Sequence, residues 1–147
     1  MVTADATTAS VVRAMPDEVQ WRTGQFGMLA AVAAYSPASD EWLDGLLLTL
    51  EHNRTLLNEL LSEHLPAARW LIPDAGYLAW IDFSAFGWGD DPARRILEQA
   101  RVALHFGPQF GAEGQGFARL NFGTSPEILR EAIRRIAAIV AEPSSQV

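Results

Sequence analysis

The chain has 147 residues, a net charge of −7, 49% hydrophobic and 20% charged residues, and no cysteine. That is one domain of ordinary globular composition, and it excludes disulfides, thiolate catalysis and cysteine-held zinc. All eleven basic residues are arginine, so no side chain can form a Schiff base, there is no P-loop lysine, and the acidic balance opposes nucleic-acid backbones and anionic membrane surfaces.

Met1 to Ser10 is small and polar and reads as a mobile tail, with 1–15 as the flexible N-terminal stretch. It lacks the basic start and apolar run of a signal peptide, which favours a cytoplasmic location. A first helix is expected from Asp17 to Tyr35, with Met28, Leu29, Val32 and Ala33 at helical spacing and Gly24 and Gly27 as weak points. The second runs from a cap at Ser39 or Asp40 to about His64. Leu43, Leu46, Leu47, Leu50, Leu57, Leu60 and Leu61 line one broad face, and Pro66 prevents continuation. Arg69 to Ile72 reads as a short strand, Pro73 to Gly76 as a turn, and Tyr77 to Phe83 as a central strand apolar on both faces. Asp90 is expected to cap a helix over Pro92 to Arg101, with Ile96, Leu97 and Ala100 inward. Val102 to Phe106 is a short strand, Gly107 to Gly116 a glycine-rich loop, and Phe117 to Phe122 the last strand. Ser125 and Pro126 open a final helix to about Ala141, its apolar stripe Ile128, Leu129, Ala132, Ile133, Ile136 and Val140. A tail over 142–147 closes the chain. The pattern predicts an α+β fold over 16–141, a small, mainly antiparallel sheet covered by helices on one side.

Arg119 is the leading site candidate. It shares a strand face with Phe117 and Asn121 between apolar neighbours, and a guanidinium placed there needs an anion. Its planar fork suits a carboxylate; an internal salt bridge, to Asp82 for example, is the alternative. The glycine-rich loop leads into a strand rather than a helix N-terminus, which argues for a hairpin or lid over a phosphate cradle. His52 and His64, twelve residues apart on one helix, have no metal-ligand spacing. His105 reads as a packed strand histidine, with a place beside a pocket as the alternative. The arginine pairs Arg94-Arg95 and Arg134-Arg135 read as solvated helix faces. The tryptophans read as mostly core, with an interface role open for Trp21 and Trp42.

Five segments in order carry a resemblance: W-L-D-G-L-L-L-T-L-E-x-N-R (Trp42 to Arg54), L-P (Leu65-Pro66), G-Y-L-A-W-I-D-F (Gly76 to Phe83), V-A-L-x-x-G-x-x-F-G (Val102 to Gly111) and G-x-A-R-L-N-F-G (Gly116 to Gly123). Together with Pro16 to Trp21 and Gly27 to Tyr35, the sequence resembles the C-terminal small domain of class I/II, fold-type I pyridoxal-phosphate-dependent aminotransferases, in the cystathionine β-lyase-like C–S lyase branch. The resemblance implies that Arg119 grips the α-carboxylate of an amino-acid substrate, that Tyr77 lies near the substrate, and that Gly107 to Gly111 flank the site mouth. The chain departs from the pattern at Ala75-Gly76, where the family usually has Gly-Thr, and at His105-Phe106, where a small residue and proline are usual. It also lacks the cofactor-holding lysine, the aspartate for the pyridinium nitrogen and the large domain that binds the phosphate. The resemblance therefore implies a domain without its cofactor domain, inactive alone, with pyridoxal phosphate in the parent enzyme and none held covalently here. A helix that would pack on the large domain should leave an apolar patch and promote self-association, such as a dimer. A stand-alone, non-catalytic interaction or small-carboxylate-binding domain is the alternative.

Overall fold

The computed structural model of the chain describes residues 5–16 and 24–141. Packing divides it into two units, Met1–Asp44 and Gly45–Val147. The helices are α1 (Ala6–Arg13), α2 (Gln25–Ala34), α3 (Asp40–His64), α4 (Pro92–Ala100) and α5 (Pro126–Ala141), and the strands are β1 (Arg69–Trp70), β2 (Leu78–Asp82), β3 (His105–Phe106) and β4 (Phe117–Asn121).

In the first unit, the stretch expected as a tail contains α1, capped by Asp5, whose carboxylate accepts from the Thr8 amide and hydroxyl at 2.8 Å each. The expected helix over Asp17–Tyr35 is described only from residue 24. Gly24 is an extended N-cap, so the described helix starts at Gln25. Neither α1 nor α2 buries a residue. On α2, Phe26 and Val32 are 86% and 73% exposed, and Met28 and Leu29 are also exposed.

In the second unit, alternation along two strands builds the sheet. β2 and β4 pair antiparallel with Trp80 opposite Arg119 and Ile81 opposite Ala118. β1 and β3 flank them in the order β1-β2-β4-β3, all antiparallel. β2 is central, as expected of a strand apolar on both faces. Ala79, Ile81, Phe83, Ala118, Leu120 and Phe122 are buried on one face against Leu57 of α3, Ile96 of α4 and Leu129, Ile133 and Ile136 of α5. The arrangement is the expected α+β one. The edge strands are shorter than the sequence suggests: Leu71 and Ile72, outside β1, are exposed, and Val102 and Leu104 precede β3 half-buried. An edge strand is held by a ladder on one side only, so pairing ends where that partner turns away.

Several side chains lie differently from the periodic reading. The cap of α4 is Asp91, not Asp90; its carboxylate accepts from the Arg94 amide at 2.9 Å. Leu97 is exposed beside buried Ile96 and Ala100, because a helix this short turns only one narrow stripe inward. On α3 the core face is Leu56, Leu57, Leu60 and Leu61, while Leu43 and Leu47 are exposed. Ile128 and Val140 are exposed on α5 and Ile139 takes a core place. The tryptophans are less buried than expected: Trp42 and Trp80 are exposed, Trp70 and Trp88 half-buried, and Trp21 lies outside the described residues.

One buried polar group ties helix to sheet. Asn53 of α3 is fully buried, and its amide nitrogen donates to the carbonyls of Phe122 (2.9 Å) and Thr124 (2.7 Å), just beyond β4. Both amide protons are used where no water competes, the setting in which losing a donor is most costly. Asn53→Leu should lower the unfolding free energy by about 2 kcal/mol in urea titration, since it strands two carbonyls. Asn53→Asp should cost more, because a carboxylate would face those same two oxygens.

On the outer face of α5, Arg134 grips Glu131 with two bonds of 2.7 Å and Arg135 adds a third of 2.7 Å, which is the solvated face expected of this pair. These bonds hold the Glu131 carboxyl down at about 2. Its contribution to stability is therefore complete above the ordinary glutamate range and is lost as the pH falls toward 2. An NMR titration should place the Glu131 midpoint near 2, and Arg134→Ala should move it upward. Because the group is exposed, the stability change should be small.

Candidate functional site

The helix-covered face of the sheet leaves the other face open, and strand parity puts Arg119 there. Its neighbours Ala118 and Leu120 point into the core, while Arg119 is half-buried. β4 lies between β2 and β3, so Arg119 has Trp80 directly opposite on one side and His105 on the other. Residues opposed in an antiparallel ladder share a face with neighbouring Cβ atoms. Trp80 stacks on Phe117 with ring centroids 5.5 Å apart and meets the edge of Phe110 at 5.6 Å. The Phe110 ring lies 4.6 Å from the guanidinium carbon of Arg119.

Electrostatically the arginine is unmatched. Among the described residues it has no ion pair and no side-chain hydrogen bond, and its Nε is buried without a partner. The alternative pairing with Asp82 is not formed; that carboxylate accepts from the Ser84 amide at 2.8 Å instead. Arg119 is also among the residues around a cavity of about 280 Å³ on the helix side of the sheet, bounded by Leu104, His105 and Leu120 and by Ile128, Leu129 and Ala132 of α5. No acidic side chain lines it. Among the described residues the guanidinium therefore has no internal anion, and burying a charge without one is costly.

Tyr77 sits at the end of β2, half-exposed, its carbonyl accepting from the Phe122 amide at 2.9 Å and its ring beside Gly123. It stands just before the strand pair that carries Arg119 and is not part of the aromatic group around the guanidinium. His105 is exposed beside Arg119 and lines its cavity, so the pocket-side alternative describes it better than a packed core histidine. Sequence reasoning put Phe117 on the arginine's face but missed Trp80 and Phe110, because cross-strand register and the path of a loop cannot be read from one strand. The glycine-rich loop folds into two 3₁₀ turns, Gly107–Phe110 and Ala112–Gly114, and leads into β4.

The residues present do not fit pyridoxal phosphate as its holder. The chain has no lysine for the covalent link, and the glycine loop presents no helix N-terminus to a phosphate. What this face offers is a carboxylate-sized cationic fork in an aromatic setting.

Comparison with known proteins gives the chain its relatives. No family profile matches the chain. Cystathionine β-lyase PatB of Bacillus subtilis is 40% identical over 117 residues, covering 79% of this chain and 30% of that protein. Among solved structures, a protein of Corynebacterium diphtheriae assigned as a pyridoxal-phosphate-dependent β-cystathionase superposes with a TM-score of 0.83 at 34% identity, covering 96% of this chain and 37% of that one. The pyridoxal-phosphate-bound C–S lyase of Staphylococcus hominis gives 0.77 at 26% identity over 87% of this chain and 35% of that one. The chain spans about a third of the length of the curated relatives it matches. In sequence and fold the chain corresponds to the small C-terminal portion of fold-type I pyridoxal-phosphate-dependent enzymes of the cystathionine β-lyase and aminotransferase kind. Among the described residues, no helix is long and apolar enough to cross a membrane.

Proposed function

We propose that this chain is the substrate-gripping part of a pyridoxal-phosphate-dependent C–S lyase or aminotransferase acting on amino acids, with Arg119 as the ligand of the substrate α-carboxylate. The observation that carries the reading is the unmatched guanidinium of Arg119 on the open face of the sheet, its Nε buried without a partner. The 40% identity to PatB over 79% of this chain supports the assignment. In this reading the chain contributes orientation rather than proton transfer. A carboxylate held bidentately fixes the substrate relative to the reacting centre, a proximity effect. Tyr77, at the rim of the same strand pair, borders the substrate. With no lysine, the chain by itself is proposed to be inactive, and the proposed location is the cytoplasm.

Assayed in the enzyme that contains this chain, Arg119→Ala should raise KM for the amino acid about 10- to 100-fold, the worth of a charge-assisted bidentate contact, and lower kcat less. An unchanged KM would remove the carboxylate role.

The exposed side chains of α2 carry the partner reading. Phe26, Met28, Leu29 and Val32 are all more than half exposed on a ten-residue helix that buries nothing, and a contiguous apolar surface of this sort marks a contact site. The proposed contacts are the cofactor domain in the parent enzyme and, for the chain alone, a second copy. Sedimentation of the chain should show concentration-dependent self-association that Val32→Glu reduces. A monomer at every concentration would count against it.

A further inference from the structure

We propose that Phe110 is a positioning residue for the carboxylate clamp: its ring lies against the Arg119 guanidinium and sets the orientation in which a carboxylate is received. The inference rests on the reading of Arg119 as a carboxylate ligand and extends it to a residue outside the strand.

An arginine reaching out from a strand has several free torsions, and ordering them on binding costs affinity. Ion pairs or hydrogen bonds usually do that ordering in advance. Among the described residues Arg119 has neither from its side chain, and the close group that orders it is the Phe110 ring, 4.6 Å from the guanidinium carbon. Cation and ring face attract at this separation. The ring is itself braced: Trp80 meets it edge-on at 5.6 Å and an interplanar angle of 86°, and Trp80 in turn stacks on Phe117. Phe110 is 51% exposed, so core burial does not explain its place; the rings and charge around it are the Arg119 cation, Trp80 and, more distantly, His105 at 6.3 Å.

The glycines of the loop account for how the ring gets there. Gly107 and Gly114 press backbone to backbone, so that a Cβ on either would overlap the other's main chain. Gly111, immediately after Phe110, has φ +130°, a conformation that side chains rarely adopt. The loop is thereby folded back over β4 with its one aromatic side chain above the arginine.

This placement also chooses the binding edge of the fork. Nε is enclosed and unpaired, whereas the two terminal nitrogens are not enclosed. A carboxylate is therefore received end-on, by Nη1 and Nη2, with the guanidinium carbon over the Phe110 ring.

The test uses the 147-residue chain, with arginine side-chain NMR and with acetate and L-alanine as probes. In the unliganded protein the Arg119 Nε–H signal should show a ring-current displacement and slow solvent exchange. Phe110→Tyr should keep both, and Phe110→Leu should lose both while the unfolding midpoint stays near that of the parent chain. Phe110→Leu should weaken carboxylate binding about fivefold, the scale of an exposed cation–π contact. Arg119→Lys should abolish the saturable response. If Phe110→Leu binds both probes as tightly as the unaltered chain while Arg119→Lys does not bind, the positioning role is overturned and the carboxylate reading stands. If the unaltered chain shows no saturable response to either probe, the carboxylate reading fails and the positioning role fails with it.

Discussion

The amide of Asn53 sets the frame on which the site depends. It is a fully buried polar side chain in an otherwise apolar helix face, and it bridges α3 to the carbonyls of Phe122 and Thr124. Those carbonyls follow directly on β4, the strand that carries Arg119. A hydrophobic face alone would let the helix slide or rotate over the sheet at little cost, since apolar contact is non-directional. Two hydrogen bonds from one amide remove that freedom, and they hold the end of the strand pair where Tyr77 meets Phe122. The price of a buried amide is its unpaired Oδ1.

From this frame the division of the sheet into two faces follows. The even-numbered residues Ala118, Leu120 and Phe122 and the odd-numbered Ala79, Ile81 and Phe83 are committed to the helices. The opposite parity, Trp80, Phe117 and Arg119, is left on the open face. An arginine in this row cannot turn into the core without being stripped of water unpaired. It stays at the surface of a rigid sheet, which is the sort of support that holds a binding group to a useful geometry. Its aromatic neighbours Phe110 and Trp80 carry no charge and so leave the guanidinium unneutralised.

Much of this order was open to reading in the chain itself. Leu57, Leu60 and Leu61 of the expected leucine face, the proline at the start of α5 and the apolar tract of β2 can be read locally, and the structure agrees with them. The candidate status of Arg119 came from parity within one strand. The errors fall where a local rule had to choose between near-equals. Asp90 and Asp91 are both good caps, and the one that lies over the Arg94 amide is decided by the path of the preceding turn. Leu97 and Ile128 have the right chemistry for the core but sit at the edge of their helical stripes. Asn53 gave no local signal at all, because an asparagine in a helix is ordinarily solvated and its partners here are about seventy residues away.

Residue types and their spacing alone determined the class of fold, the absence of a lysine chemistry in this chain, and the place of Arg119 on a strand between apolar neighbours. These depend on period and composition, which are local properties. Tertiary structure decided that Asp82 would not pair with Arg119, that Trp80 and His105 would flank the arginine, and that a loop phenylalanine would lie over it. Each of those depends on strand register and on how glycine lets one backbone approach another, and both arise only when segments far apart in the chain are packed together.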